Sequence, residues 1–476
     1  MANNNIDDAI RLDPNQTVPI YRQLYQRFRE AMMDGRLAPG TRVPSMRSLA
    51  SELNVSRGTV ELAYQLLISE GYLFPRGPAG TIVSPRLPFS SAESSEASNG
   101  ALLAAQPASP IAIPPLRLGL PALDAFPTKS WTRLTLEKLR SQTEADLHYP
   151  PAAGHPALRE ALVSYLGVSR GIACRPEQII ITTGYRDTLG LICQTLLKPG
   201  DVGWFEEPGY FIARERLLAE GMQLMPVKVD AAGLDVDAGR REAEQARFAV
   251  VTPTHQSPTG VTLTLERRRS LLAWASQQQA WIIEDDYDSE FRYQGYPVPT
   301  LKSLDRNDRV LYTGTFSKVL FPGLRLAYLV VPTSEIPRFH TVLARLGYGC
   351  PGLSQSVVAE FIVAGHFARH LKRMRTLYCQ RRELLHEALV HHLGRRFHID
   401  LQAGGMHLLA QLPDGSNDTH IARRSHEAGL GGHALSEWYL GQSKRSGLLL
   451  SFTNLKDADL ADDLMQKLAR IVGTAC

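Results

Sequence analysis

The stretch TGTFSKVLFPGLRLAY, residues 313–328, decides the fold of most of the chain, because it places charged residues between and within two apolar strands. Lys318 ends the first strand, RVLYTGTFSK, and Arg325 lies in the second, LRLAYLVV. A single lysine with apolar neighbours is expected to have a lowered pKa, so that its amine can act as a nucleophile. The stretch therefore predicts a reactive amine at the end of a strand.

Short apolar segments alternate with helical segments from Arg117 onward. This alternation predicts an α/β domain with a largely parallel central sheet over residues 116–476. Ligands of such sheets bind at the carboxyl ends of the strands. The predicted strands are IIITTG, DVGWFEE, QLMPVKV, RFAVVTP, AWIIEDD, RVLYTGTFSK and LRLAYLVV.

The strand ends carry the residues that a phosphate-bearing cofactor needs. Asp285 and Tyr287 lie two positions apart at the end of AWIIEDDYDSEF and would share one face if that strand continued. Tyr210, in EEPGY, offers a flat ring for stacking. Hydroxyls, a cation and the amides of a helix start, all able to hold a phosphate, are predicted from Thr315, Ser317, Arg325, Tyr185 and Arg186.

Together these residues predict a pocket for pyridoxal 5'-phosphate (PLP). Lys318 would form the Schiff base, Asp285 would pair with the protonated ring nitrogen, and Tyr287 would hydrogen-bond the ring oxygen. Taken singly, each has an ordinary structural interpretation: a solvated strand end for Asp285, a surface lysine for Lys318, an ion-pair partner for Arg325. Their combination and order along the chain favour the cofactor.

The N-terminal sequence has the pattern of a winged helix-turn-helix over residues 18–85. Apolar residues at helical spacing predict a first helix starting at Ile20. In SMRSLASELNVSRGTVELAYQLLISEGY, Ser45 and Ser56 can each cap a helix, and Asn54 stands where the turn between them needs a left-handed backbone. The following YLFPRGPAGTIVS predicts two strands around a turn, which form the wing.

Every basic side chain of this module is an arginine, since the first lysine of the chain is Lys129. Arginine suits bidentate contacts with phosphate or guanine. Arg57 starts the second helix of the motif, which enters the major groove in such folds, whereas Arg47 is expected to touch the DNA backbone. The alternative is a solvated face of a small protein-interaction module. The candidate DNA-contacting residues are Arg42, Arg47, Ser56, Arg57, Thr59 and Arg76.

Composition sets wider limits. Of the 476 residues, 44% are hydrophobic and 21% charged, which is ordinary for folded domains and excludes wholesale disorder. A formal charge of +4 is too small for a generally basic nucleic-acid binder.

Residues 86–115, rich in Ser, Ala and Pro, predict a flexible linker. Scattered cysteines without a C-x-x-C pair, and no signal-like or membrane-spanning segment, predict a cytoplasmic protein with no membrane partner.

Several motifs carry a family resemblance. Residues 18–84 resemble the GntR winged-helix family through PIYRQLYQRF, GRLAPGTRVPSMRSLASELNVSRGTV and the wing. Residues 118–455 resemble the fold-type I aminotransferases through YPPAAGHPALREAL, IIITTGYRDTLGL, LLKPGDVGWFEEPGY, TPTHQSPTG, IIEDDYDSEF and the stretch 313–328. The whole chain resembles the MocR subfamily of regulators, the GabR type, through HQSPTG, EDDYDSEF, HLKRMRTLYCQRR and GGMHLLAQLP.

The resemblance implies a PLP-dependent regulator that binds double-stranded DNA and senses a small-molecule effector. It also implies a homodimer that reads paired half-sites, with Tyr149 reaching the phosphate site of the partner subunit. An amine-bearing effector would exchange with Lys318, or another small molecule would fill the pocket, and the arrangement of the domains would shift.

Three positions depart from the families. Ser257 stands where aminotransferases usually place an asparagine that hydrogen-bonds the ring oxygen, so that contact is altered or carried by Gln256. Leu449 stands where the enzymes carry the arginine that binds the substrate carboxylate, and without that clamp the substrate is poorly oriented. Gly58 stands where many GntR relatives carry a polar residue that can read a base.

The sequence leaves two other functions open. A working aminotransferase with an attached DNA-binding module is disfavoured by Leu449. A regulator whose large domain has lost the cofactor and serves only for dimerisation is disfavoured by the intact Lys318, Asp285 and Tyr287. We therefore predict a DNA-binding regulator that uses an aminotransferase-like PLP domain for sensing rather than turnover.

Overall fold

The chain forms two compact units that divide between residues 109 and 110. The predicted linker, residues 86–115, lies outside the described residues except for its last three. Within the described residues, no helix combines the length and apolar character needed to cross a bilayer. The computed structural model describes residue 12 and residues 18–85, 113–295, 298–347, 349–441 and 444–475.

The N-terminal unit is a helix-turn-helix followed by a small antiparallel sheet. Ser45 Oγ accepts a hydrogen bond from the Ser48 amide, and Ser56 Oγ accepts one from the Thr59 amide, so both serines cap helices as the sequence predicts. Asn54 adopts the expected left-handed conformation, with φ of +52°. The elements are α1 (Ile20–Met33), β1 (Arg42–Val43), α2 (Met46–Glu52), α3 (Arg57–Ser69), β2 (Leu73–Pro75) and β3 (Thr81–Val83).

A compact apolar core holds this unit together. Leu24 and Phe28 of α1 meet Val60 and Tyr64 of α3, and all four side chains are buried. The Phe28 and Tyr64 rings pack edge to face with centroids 5.5 Å apart, while the Tyr64 hydroxyl donates to the Pro44 carbonyl at 2.9 Å. A buried hydroxyl with a partner avoids the penalty of an unmade hydrogen bond. The core therefore fixes α3 with its first turn exposed.

The large unit is built on an eight-stranded sheet in the order β4-β11-β10-β9-β8-β5-β6-β7. Neighbours among β5, β6, β8, β9 and β10 run parallel, whereas β11 is antiparallel to β10 and to β4. The predicted α/β fold with a largely parallel sheet is confirmed. The strands are β4 (Ile179–Thr182), β5 (Val202–Glu207), β6 (Gln223–Asp230), β7 (Gly233–Leu234), β8 (Phe248–Val251), β9 (Trp281–Asp286), β10 (Val310–Thr315) and β11 (Ala327–Val330).

Helices cover both faces of this sheet, which explains the nearly continuous apolar strands. In β9, the adjacent residues Ile282 and Ile283 are both fully buried but belong to different hydrophobic clusters, one on each face. The helices of the unit up to β11 are α4 (Thr128–Arg140), α5 (Pro156–Arg170), α6 (Tyr185–Leu196), α7 (Phe211–Ala219), α8 (Val236–Ala243), α9 (Leu265–Gln278) and α10 (Leu301–Leu304).

The C-terminal part of the chain adds a smaller antiparallel sheet in the order β12-β13-β15-β14. Its strands are β12 (His398–Ile399), β13 (His407–Gln411), β14 (His433–Ala434) and β15 (Gly447–Ser451). Its helices are α11 (Ile336–Leu346), α12 (Gly352–Val363), α13 (His366–Leu393), α14 (Asp418–Glu427) and α15 (Ala458–Ala475).

The topology of the large sheet decides where polar groups gather. Since β4 is antiparallel to β11 and β11 is antiparallel to β10, β4 runs in the same direction as β10 and its parallel neighbours. The carboxyl ends of β4, β5, β8, β9 and β10 therefore meet at one edge of the sheet, and the residues that follow these ends form the site described next.

Candidate functional site

Lys318 does not end the strand as predicted: β10 ends at Thr315, and Lys318 lies in the turn that follows, with its amine turned inward. Nζ donates to the Gly119 carbonyl at 2.9 Å. Burial lowers the pKa of Lys318, while the nearby carboxylates of Asp285 and Asp288 act in the opposite direction. An amine whose charged form is disfavoured by burial is a better nucleophile near neutral pH.

Asp285 lies in β9 directly beside Thr313 of β10. Its carboxyl group is buried, and burial raises its pKa to about 8, although the nearby Tyr185 hydroxyl and the charge of Lys318 lower it. A carboxyl group in this setting is poised to become fully ionised when a cation is placed next to it.

Tyr287 lies just beyond β9, because the strand ends at Asp286. Strand alternation therefore does not extend to Tyr287, and its placement comes from side-chain contacts instead. Its hydroxyl is 3.0 Å from His255 Nδ1, and the same nitrogen is 3.0 Å from the buried Asp288 carboxylate. Burial raises the pKa of Tyr287, with Asp288 adding to the rise, so the phenol stays protonated and can donate a hydrogen bond.

The opposite end of the site has the properties of an anion cradle. Helix α6 begins at Tyr185, as predicted, and the amides of Tyr185 and Arg186 have no acceptor within the helix, whereas those of Asp187 and Thr188 donate to the Gly184 carbonyl. The Arg325 guanidinium lies against this start: a Cβ added to Gly184, whose φ is +140°, would be 2.9 Å from Arg325 Nη2. Thr315 is the last residue of β10 and Ser317 lies in the turn before Lys318, where the Ser317 amide donates to Thr315 Oγ1 at 3.1 Å.

Arg186 offers only its backbone to this cradle. Its guanidinium forms an exposed ion pair with Glu215 at 2.7 Å. Tyr185, in contrast, contributes its side chain as well as its amide, since its buried phenol interacts with Asp285. No pattern in the sequence indicated this second role, because the contact joins the start of α6 to the end of β9.

Tyr210 precedes α7 and belongs to an aromatic group. Its ring lies nearly parallel to that of Tyr185, with centroids 6.2 Å apart, and to that of Trp438, with centroids 5.8 Å apart. Burial raises the pKa of Tyr210, and the charge of Asp285 contributes to the rise. The predicted stacking ring is thus held near the carboxyl group expected to contact the cofactor.

Gln256 and Ser257, the two residues at the position of the missing asparagine, have different partners in the structure. The Gln256 amide nitrogen donates to Glu206, Pro208 and Ser257, and its oxygen accepts from Thr259. The Gln256 side chain is therefore engaged in hydrogen bonds within the protein and is not available to a ring oxygen. Ser257 is buried and its hydroxyl interacts with Tyr287.

Leu449 lies in the middle of β15 and is fully buried. It pairs with Leu409 of β13 on one side and with His433 of β14 on the other. Directly paired residues of an antiparallel sheet share a face, so the position of the expected arginine is surrounded by an aliphatic and an imidazole side chain. Neither paired residue supplies an arginine or a lysine in its place.

Tyr149 is 91% exposed and follows a short 3-10 helix, Glu144–Leu147. Its ring contacts His148 edge to face. The predicted role for Tyr149 lies in a partner subunit, and its exposure leaves the ring available for such a contact.

The predicted DNA-contacting arginines, Arg42, Arg47, Arg57 and Arg76, are all exposed. The ion pairs in the described part of the N-terminal unit involve Arg27 and Arg36 instead. The Arg42 guanidinium packs over the wing, since a Cβ on Gly80 would be 2.8 Å from Arg42 Nε.

The hydroxyls predicted to face DNA have structural partners. Ser56 Oγ and Thr59 Oγ1 are 2.7 Å apart, and Ser56 also caps α3. The next residues, Arg57 and Gly58, are exposed in the first helical turn. Arg57 is therefore the longest exposed side chain at the start of the second helix of the motif.

Two histidines and an aspartate of the site were not predicted from the sequence. His255 contacts both the Tyr287 hydroxyl and the Asp288 carboxylate, and His407 lies beside His255 with ring centroids 5.7 Å apart. Burial and the neighbouring His255 lower the pKa of His407 to about 4, so its ring is neutral at pH 7. The motifs HQSPTG and GGMHLLAQLP contained these histidines, but nothing in their spacing indicated that β13 meets the turn after β8.

The chemistry of these groups fits PLP. An amine of lowered pKa, a buried carboxyl group, a protonated phenol and a helix start with an arginine are the complements of an aldehyde, a ring nitrogen, a ring oxygen and a phosphate. Gly119 and Gly184 leave room for Lys318 and Arg325, respectively, where any side chain would collide.

Two family models match the chain. The gntR family of bacterial regulatory proteins matches residues 20–83, and aminotransferase class I and II matches residues 116–423. The chain is 36% identical over 458 residues to the probable rhizopine catabolism regulatory protein MocR of Rhizobium meliloti, covering 93% of this chain and 92% of that protein. It is 33% identical over 457 residues to the pyridoxine biosynthesis regulator PdxR of Corynebacterium glutamicum, with 94% of each chain covered.

Among solved structures, the large unit is similar to Pyrococcus horikoshii kynurenine aminotransferase, a crystal structure that contains PMP. The TM-score is 0.69 and the identity 28%, over 75% of this chain and 90% of that chain.

Proposed function

The chain belongs to the GntR-type regulators that carry an aminotransferase class I and II domain, the family of MocR, and on this basis we propose that it binds PLP and senses a small molecule to control transcription. The proposal rests on the presence of two features in one chain. The start of helix α3 is capped and exposed. The Lys318–Asp285 site has a leucine at position 449, where aminotransferases carry the arginine that binds the substrate carboxylate.

In the N-terminal unit, Arg57 is proposed to read or clamp DNA from the start of α3. Its neighbours Ser56 and Thr59 are engaged with each other, so their main contribution is to fix the helix start. Arg42 and Arg76 would contact the backbone from the wing, and Arg47 from α2. A regulator acting on the chromosome works in the cytoplasm, as the sequence predicts.

In the large unit, Lys318 is proposed to hold PLP covalently. Asp285 would accept a hydrogen bond from the ring nitrogen, the Tyr287 hydroxyl and Ser257 would lie at the ring oxygen, and Tyr210 would cover the ring. Arg325, the amides of α6 and the hydroxyls of Thr315 and Ser317 would hold the phosphate. When bound, PLP supplies an aldehyde that reacts with primary amines and a ring that withdraws electrons.

The surroundings of Leu449 favour sensing over turnover. An amino-acid substrate of a transaminase is oriented by a bidentate arginine, and misplacement by about 1 Å is enough to lose roughly a hundredfold in rate. Here β15 presents a leucine between Leu409 and His433. A ligand bound near Lys318 can still change the relative energies of two domain arrangements, which is all that a sensor requires.

The resemblance also leads us to propose a homodimer that binds paired half-sites. A two-fold dimer presents two winged helices, and the spacing of its half-sites follows from its symmetry. Tyr149 would then complete the phosphate site of the other subunit.

The test begins with selection of bound sequences from a random DNA library by purified full-length protein loaded with PLP. We expect two copies of one half-site, and Arg57→Ala should weaken binding at fixed salt at least tenfold, whereas Arg36→Ala should not, because Arg36 is already paired with Asp34. Addition of primary amines should change the affinity of the protein for this DNA. Absence of sequence-specific DNA binding, together with steady-state conversion of amino acids to keto acids, would contradict the proposal and favour an enzyme.

A further inference from the structure

A second cavity, of about 710 Å³, lies in the large unit outside the site described above. Its walls come from the end of α5, the segment after β9 and the start of α13, and they include neither Lys318, Asp285 nor Tyr287. The volume is in the range of small-molecule sites in proteins.

Three residues of the wall, which also line a smaller space beside His255 and Asp288, each have a polar atom without a hydrogen-bond partner within the described residues: Thr254 Oγ1, Ser289 Oγ and Arg292 Nε. All three are buried. Buried polar atoms of proteins nearly always have partners, so three orphaned donors around one space point to a bound group.

The charged residues around the cavity indicate whether the bound group is an anion or a cation. Asp286 and Glu290 are both satisfied by Arg170, at 2.7 and 2.5 Å, and Glu290 also accepts from Tyr165 at 2.8 Å. Arg292 forms no ion pair within the part of the chain that the structure describes, and the same is true of Arg375. The two carboxylates share the Arg170 guanidinium, whereas Arg292 and Arg375 have no carboxylate partner within the described residues, which favours an anion beside these two arginines.

The wall also has an apolar part, formed by Val168, Val298, Ile362, Phe367 and Leu371, beside polar residues that include Tyr165, Tyr293 and Thr300. Phe367 and Leu371 are buried, whereas Arg375 is exposed and marks the mouth on the side of α13. A ligand that satisfies both parts of the wall carries one anionic group and a compact apolar body.

We propose that this cavity binds a small amphipathic carboxylate, with its anionic group on Arg292 and Ser289 and its apolar body against Phe367 and Leu371. This inference does not depend on the proposed function, because the cavity is separate from Lys318. Ser289 and Arg292 lie on the segment that continues from Asp285 and Tyr287, so an occupied cavity restrains the segment that carries these two residues.

The test uses the full-length chain saturated with PLP and the probe 4-(trifluoromethyl)phenylacetate, followed by fluorine NMR. We expect saturable binding that excess PLP does not displace, and binding at least tenfold weaker for the neutral probe amide. Arg292→Gln should weaken binding of the acid at least tenfold. Arg140→Gln, an exposed arginine outside this cavity, is the matched control and should bind like the wild type.

A second variant covers the case in which Arg292→Gln fails to fold. Ala368 is exposed and lines the cavity, so Ala368→Trp should block the cavity without disturbing the core, and the probe should no longer bind. The proposal is overturned if the acid does not bind, if the amide binds equally well, or if folded Arg292→Gln and Ala368→Trp both bind the acid with wild-type affinity.

Discussion

Lys318 depends on a glycine 199 positions away in the sequence. Gly119 adopts φ of +79°, a conformation that favours glycine, and its carbonyl accepts the hydrogen bond from Nζ. A Cβ at Gly119 would lie 2.5 Å from Nζ, closer than two non-bonded atoms can approach. The position of the amine is thus fixed by backbone geometry that only glycine permits.

We therefore expect Gly119→Ala to weaken PLP binding at least tenfold, because the amine must move away from its position. The measurement is a fluorescence titration of cofactor-free protein with PLP. Gly200→Ala is the matched control, since Gly200 also has a left-handed φ of +92° but has no atom within 4 Å of its Cβ position. Equal affinities for the two variants would show that Gly119 does not position Lys318.

Asp285 makes the cofactor-free protein sensitive to pH. Burial raises its pKa to about 8, whereas an aspartate in an unfolded chain has a pKa of about 3.9. Between these values the folded state holds one proton more than the unfolded state, so stability falls as the pH rises. At pH 8 we expect cofactor-free Asp285→Asn to be more stable than the cofactor-free wild type by a few kcal/mol, since a tenfold change in a proton-binding constant corresponds to about 1.4 kcal/mol.

The difference in stability should shrink as the pH falls and disappear below about pH 4, where Asp285 is largely protonated in both states. Asp237→Asn, at an exposed aspartate, is the control and should have no such effect at pH 8. Chemical denaturation of the three proteins across this pH range checks the prediction, and an Asp285→Asn protein no more stable than the wild type at pH 8 would contradict it.

Strand β15 places a buried leucine where aminotransferases carry the arginine that binds the substrate carboxylate. Leu449 is completely buried between its partners in β13 and β14. We expect Leu449→Arg to lower the stability by several kcal/mol, because it buries a charge without a paired carboxylate. Chemical denaturation of the PLP-loaded protein measures the loss, with Leu449→Met as the volume-matched control. A stable Leu449→Arg protein that transaminates amino acids would instead show that the arginine alone was missing.

The elements themselves were predictable where the signals were local. Ser45, Asn54 and Ser56 specify caps and a turn within a few residues, and each apolar run became a strand because helices cover both faces of the sheet. The contacts of His255 with Asp288 and with His407 were not predictable, because tertiary packing alone brings these segments together. For the same reason the sequence could not exclude Gln256 as a cofactor ligand, because its side chain hydrogen-bonds Glu206 and Pro208 at the end of β5, which is distant in the sequence.

For the whole molecule, Tyr149 gives the sharpest test of the dimer. It is almost fully exposed in one subunit, so it can influence the cofactor only through a second subunit. We expect Tyr149→Phe to weaken PLP binding several-fold while sedimentation still reports a dimer, because one hydrogen bond to a charged phosphate is lost. Tyr21→Phe, a half-buried tyrosine of the N-terminal unit, is the control. Unchanged PLP affinity in a dimeric Tyr149→Phe would remove this residue from the site.

The proposed sensing role of the large unit depends on one covalent link, between PLP and Lys318. The most direct measurement is the absorbance spectrum of purified full-length protein before and after borohydride, with Lys318→Ala alongside and peptide mass analysis of the reduced protein. We predict a visible band that borohydride removes, a pyridoxyl mass on the peptide that contains Lys318, and neither signal in Lys318→Ala. A colourless protein that cannot be reconstituted with PLP would contradict the covalent link and leave a winged-helix regulator on an inactive scaffold.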